Sequence, residues 1–99
     1  MNEGPTKTPE ELLEGVHDRN TFMEFVWALV ADRESAEQLE RADPKRYQLG
    51  GAGNWQNGSI STFLGGAASY FEDSEWASGT AQPSWRDLAQ FLYLGKIYE

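Results

Sequence analysis

The sequence predicts an all-α domain, an irregular bundle of three main helices plus a short N-terminal one. Helix-start signals recur, each followed by apolar residues at helical spacing. No alternating, strand-like run extends beyond a few residues. The closing run, Pro83-Ser84-Trp85 through Ile97-Tyr98-Glu99, is apolar along much of its helical circumference and carries no polar tail. The last residues are therefore expected in the core, as the buried final helix of a complete domain.

The elements follow in order. Residues 1–8, with Gly4 and Pro5, read as a flexible arm, and 9–99 as one helical domain. Thr8-Pro9-Glu10-Glu11 is a capping box with proline at the first helical position, so a short helix is expected to end near Gly15. Thr21-Phe22-Met23-Glu24 reads as a second box. Phe22, Phe25, Val26, Leu29 and Val30 recur behind it, and Asp43-Pro44 stops the helix near residue 42. Its second half is mostly charged, with Glu37 and Arg41 spaced to pair.

Residues 44–58 form a glycine-punctuated loop ending in the Asn57-Gly58 turn. A third helix follows, capped by Asn57 or Ser59, with Ile60, Phe63, Leu64, Ala67, Tyr70 and Phe71 on one face. Gly65 and Gly66 inside it cost about 1 kcal/mol each relative to alanine, which predicts the close approach of another helix. Ser84 with Asp87 opens the last helix, where Trp85, Leu88, Ala89, Leu92 and Gly95-Lys96 mark one face.

These positions also support a resemblance. Phe22-x-x-Phe25-Val26-x-x-Leu29, Trp55-Gln56-Asn57, Ile60-x-x-Phe63-Leu64, Pro83-Ser84-Trp85 and the closing Tyr98-Glu99 resemble a family of small, acidic, uncharacterised bacterial proteins. The likeness spans residues 20–99 at scattered positions. It implies a small stand-alone helical domain without known catalysis. Some members are similar to immunity proteins encoded beside bacterial toxins.

Composition narrows the function. A chain of 99 residues is one domain, and its 13% aromatic content favours a packed core over disorder. Without cysteine there is no disulfide, thiolate metal site or cysteine nucleophile. The N-terminus lacks a secretory pattern, and no apolar run is long enough to span a bilayer, so a cytoplasmic location is expected. Net charge is −8, and residues 1–43 hold eleven acids against four bases. Such a surface disfavours nucleic acid and anionic membrane and suits a basic protein partner, although a solubility coat is the simpler reading.

Catalytic patterns are weak. His17, the lone histidine, falls in a linker where a solvated role outweighs that of a general base. The carboxylate pairs Glu10 with Glu14, Glu37 with Glu40, and Glu72-Asp73 with Glu75 read as solvated faces of charged helices. Gly50-Gly51-Ala52-Gly53 is not followed by the lysine and hydroxyl of a phosphate loop, and the serines lack a nucleophile elbow. No metal or cofactor site is expected.

The strongest constellation is Trp55-Gln56-Asn57 with Trp76 and Tyr47, because tryptophan beside amides makes a contact surface with fixed hydrogen-bonding groups. A structural role weighs more for Trp55, which would plug the bundle from its loop while Asn57 caps the third helix. Trp76, in a polar loop, is the better exposed contact.

The expected function is a non-enzymatic protein-interaction module with an acidic face. Its candidate contacts are Glu34, Glu37, Glu40, Trp55, Asn57 and Trp76. An immunity-type inhibitor of a basic toxin is the alternative; a carboxylate-dependent enzyme or an acidic mimic of nucleic acid ranks below it.

Overall fold

The computed structural model describes residues 7–48, 50–73 and 82–98. The fold is all-α. Helix α1 spans Pro9–Leu13, α2 Arg19–Ala42, α3 Ile60–Asp73 and α4 Trp85–Ile97, with one 3-10 turn at Ala52–Asn54. Of the expected arm at residues 1–8, residues 1–6 lie outside the described residues, as does Trp76, while Thr8 is the cap of α1.

Local sequence sets two helix starts as expected. Thr8 accepts from the Glu11 amide while the Glu11 carboxylate accepts from the Thr8 amide. Ser84 and Asp87 make the same reciprocal pair at α4. Helix α2 differs. Its cap is Asp18, boxed with Thr21, rather than Thr21 with Glu24. The Asp18 carboxylate takes the Thr21 amide and hydroxyl together, at 2.9 and 2.7 Å. The helix thus gains a turn and brings Phe22 against Trp85, with ring centroids 5.4 Å apart.

The core gathers Phe25, Leu29 and Ala36 of α2 with Val16, Ala52, Trp55 and Ala89. The buried stripe of α2 therefore continues into its charged half through Asp32, Arg33 and Ala36. Val30, expected on that stripe, is exposed, and so is Leu39 further along the helix.

Helix α4 packs most extensively on α3. The crossing falls at Gly66, as the paired glycines suggested, and Gly95 meets it from α4. Phe71 packs edge-on against Phe91, and Tyr70 against Tyr98. With Gly66 and Ala67 turned inward, Ile60 and Leu64 rotate out of the predicted apolar face, and Ile60 is 80% exposed.

The two glycines predict opposite responses. A Cβ at Gly66 would lie 2.7 Å from the Tyr98 carbonyl oxygen and 2.7 Å from Asn57 Nδ2, whereas one at Gly65 would meet nothing within 4 Å. Gly66→Ala should destabilise by about 1–3 kcal/mol, the usual range for overpacking. Gly65→Ala should stabilise by up to about 1 kcal/mol through helix propensity. Denaturant midpoints check both signs.

The shortest principal extent of the molecule is 17 Å, no more than two helices deep. Each long helix consequently keeps a solvent face. No described helix is long and apolar enough to cross a membrane.

Candidate functional site

The chemistry concentrates where the last turn of α4 meets α2 and the loop before α3. Lys96 is 2% exposed, the one charged side chain buried among the described residues. Its place is set by α4, where it follows Ala89 by two turns and Leu92 by one, on the side that faces α2. Its Nζ donates to Asp32 Oδ2 at 2.8 Å and to Glu10 Oε2 at 3.2 Å. It also lies 5.3 Å from the centre of the Trp55 ring.

Asp32 has two donors, since the Trp55 indole Nε1 reaches the same oxygen at 2.9 Å. The Tyr93 hydroxyl donates to Glu10 at 3.3 Å. The Arg33 guanidinium also sits 5.2 Å from the Trp55 ring centre and forks onto both oxygens of Glu40 at 3.1 Å. Glu40 Oε2 also accepts the Ala52 amide at 3.0 Å, tying the glycine-rich loop to α2. Arg33 Nε lies 3.5 Å from Glu37, an ion pair without a hydrogen bond.

These contacts set the titration. Desolvation pulls the Lys96 ammonium down, but its hydrogen bonds to Asp32 and Glu10 outweigh that and raise it above 10.5. Desolvation, helped by Glu10, pushes Tyr93 above its ordinary 10.0. The Arg33 hydrogen bonds hold Glu40 below its ordinary 4.5.

The linkage signs follow. Lys96 and Tyr93 bind their protons more tightly in the folded state, so their contribution is present below about pH 10 and fades as pH climbs through the raised values. Glu40 binds its proton less tightly when folded, so its contribution is present above pH 4.5 and fades as pH falls through the lowered value. Melting temperature should therefore drop on both limbs. Glu40→Gln should make the acid limb shallower, where Asp18, held low by its Thr21 hydrogen bonds, still contributes, and leave the alkaline one, as a melting series from pH 2 to 12 would show.

The Trp55-Gln56-Asn57 segment has a second task. The Gln56 and Asn57 amides both donate to the Lys96 carbonyl, at 3.0 and 3.2 Å. Asn57 Nδ2 donates to the Gly95 and Tyr98 carbonyls at 3.0 and 2.7 Å. These are the carbonyls a helix C-terminus leaves without partners. Asn57 thus closes the end of α4 rather than the start of α3. Ser59 takes the α3 cap, accepting from the Thr62 amide at 3.2 Å.

Of the six candidate contacts, Trp55, Asn57, Glu37 and Glu40 are engaged inside this fold. Trp55 is 4% exposed. Glu37 pairs with Arg33, not with Arg41. Glu34 stands exposed on α2, and Trp76 lies outside the described residues. The paired carboxylates Glu10 and Glu14 part company, Glu10 to Lys96 and Glu14, at the helix C-cap, to Arg86 at 2.8 Å. Tyr47 packs on the core beneath Arg46.

Sequence reasoning missed Trp27. It is 64% exposed, with exposed Met23 and Val30 one turn either side. At 100° per residue it faces directly away from Phe25, Leu29 and Ala36. Glu34 falls on the same line two turns on, Glu24 flanks it, and both are exposed. The clue was available: Trp27 breaks the apolar stripe and stands on the polar side of an amphipathic helix.

The profile of a family of unknown function, DUF7660, matches residues 18–99, from the cap of α2 through α4. No curated protein and no solved structure matches the chain. The span of the match, which takes in the Lys96–Asp32–Trp55 cluster and the exposed face of α2, shows that the chain belongs to the DUF7660 family.

Proposed function

We propose that the chain is a small, non-enzymatic protein-interaction module that docks a basic partner protein on the outer face of α2. The observation that carries this reading is Trp27, a large aromatic left mostly in solvent between Met23 and Val30 and beside Glu24 and Glu34. Exposed tryptophan serves readily as a contact anchor, and its ring face attracts lysine and arginine. The charge supports the same partner, since residues 1–43 hold most of the negative excess. The bases of this face stand at the two ends of the helix, Arg19 one turn before Met23 and Arg41 at the far end. An inhibitor that masks the basic site of a toxin is one specific form of this reading. Glu10 and Asp32, both committed to Lys96, favour binding over carboxylate catalysis.

The test compares variants against a purified partner. Proteins captured by the wild-type chain are identified, and binding kinetics are then measured with each one purified. Trp27→Ala should weaken affinity at least tenfold, mainly by faster dissociation. Glu24→Lys with Glu34→Lys should slow association and reduce its salt dependence. A partner indifferent to both changes would overturn the proposal, as would a wild-type chain that covers Trp27 by dimerising.

A further inference from the structure

Helix α1 is seated on the domain as a ligand would be. It has five residues, too few to form a stable helix alone. It lies against α2 and α4 with Pro9 buried and Leu12 and Leu13 half-buried, and Val16, three residues beyond it, is buried in the core. Its polar grip is on α4: Glu10 takes Lys96 at 3.2 Å and Tyr93 at 3.3 Å, and Glu14 takes Arg86 at 2.8 Å.

Much of the remaining framework is bonded independently of this segment. Helix α2 carries its own capping box at Asp18 and Thr21, and the family match begins at residue 18. With α1 absent, Lys96 would keep Asp32 and the Trp55 ring. What would open is a face holding a cation, a phenol and apolar walls, with Arg86 at its rim.

We propose that this face of α2 and α4 is a binding site for an acidic amphipathic helical segment of a partner protein, filled in cis by residues 8–16 and open to exchange. The recognised chemistry is a carboxylate on Lys96 and Tyr93, two apolar residues within the next turn, and a second carboxylate on Arg86. This site is separate from the Trp27 face and does not depend on it.

The test uses the full chain. Glu10→Lys with Glu14→Lys reverses both charges that hold the segment to α4. The probe is a labelled peptide with the sequence of residues 7–17. The wild-type chain should bind it poorly, because the tethered segment competes at high effective concentration. The reversed chain should bind it at least tenfold more tightly, and a peptide carrying Glu10→Lys should lose that gain. A reversed chain that binds no better than wild type, or that dimerises by exchanging segments, would overturn the proposal.

Hydrogen exchange on the wild-type chain guards against a variant that fails to fold. The Leu12 and Gly15 amides, bonded to the Thr8 and Leu12 carbonyls, should exchange at least a hundredfold faster than the amides of Leu29 and its neighbours, by local opening. Exchange of both groups only through global unfolding would make α1 an inseparable part of the domain and sink the idea.

Discussion

Asp32→Ala should destabilise the domain by about 3 kcal/mol, the lower end of the cost of breaking a buried ion pair. Asp32 accepts from both Lys96 and the Trp55 indole, so one substitution leaves a buried ammonium short of its closest partner and a buried indole N–H without one. The lower end applies because the Asp32 and Glu10 side chains are 27% and 43% exposed, and water shares in the pair. For a domain of this size the melting temperature should fall by more than about 10 °C. Adding Lys96→Met should restore part of the loss, since removing both partners is less harmful than removing one. An Asp32→Ala chain within about 1 kcal/mol of wild type would contradict this role.

Removing residues 95–99 should have a still larger effect and abolish cooperative folding. The sequence pointed to Ile97 and Tyr98 as the buried end of α4. Both are half-buried, and the deeper residues are Gly95 and Lys96. The deletion would take the Lys96 side chain from Asp32 and Trp55. It would also take the Gly95, Lys96 and Tyr98 carbonyls from Asn57 and Gln56. A large core truncation alone costs about 2–5 kcal/mol, comparable with the total stability of a small domain. A truncated chain with the wild-type melting curve would refute the assignment of this corner as the keystone of the fold.

Local chemistry was legible in the sequence wherever it was self-contained. The caps at Thr8 and Ser84 and the stop at Asp43 depend on residues a turn apart, and they stand where expected. The cap of α2 was ambiguous because Asp18-x-x-Thr21 and Thr21-x-x-Glu24 overlap, and the tertiary fit of Phe22 to Trp85 favours the longer helix. The glycine crossing was half legible: spacing marked Gly65-Gly66, but only packing could choose Gly66.

The ionic cluster was hidden by distance. Lys96 meets partners 64 and 86 positions away, and a lysine in the last turn of a helix reads first as a complement to the helix dipole. The trace it left was a lone base in line with Ala89 and Leu92. Asp32 left a similar one, an acid in line with Phe25 and Leu29. Trp55 and Trp27 show the same principle in reverse. Trp55, in the glycine-rich loop, is buried because two cations and a carboxylate surround it, and Trp27, inside the long helix, is exposed because α2 has its other side to the core.

On the proposed reading, α2 uses its two faces differently, the inner one for stability and the outer one for contact. The most direct measurement is the partner affinity of Trp27→Ala taken beside its melting temperature. An exposed substitution should change stability by no more than about 0.5 kcal/mol, or roughly 3 °C for a domain of this size. The expected result is that small shift together with at least a tenfold loss of affinity. A Trp27→Ala chain that keeps its affinity, or that loses it only because it has unfolded, would contradict the account.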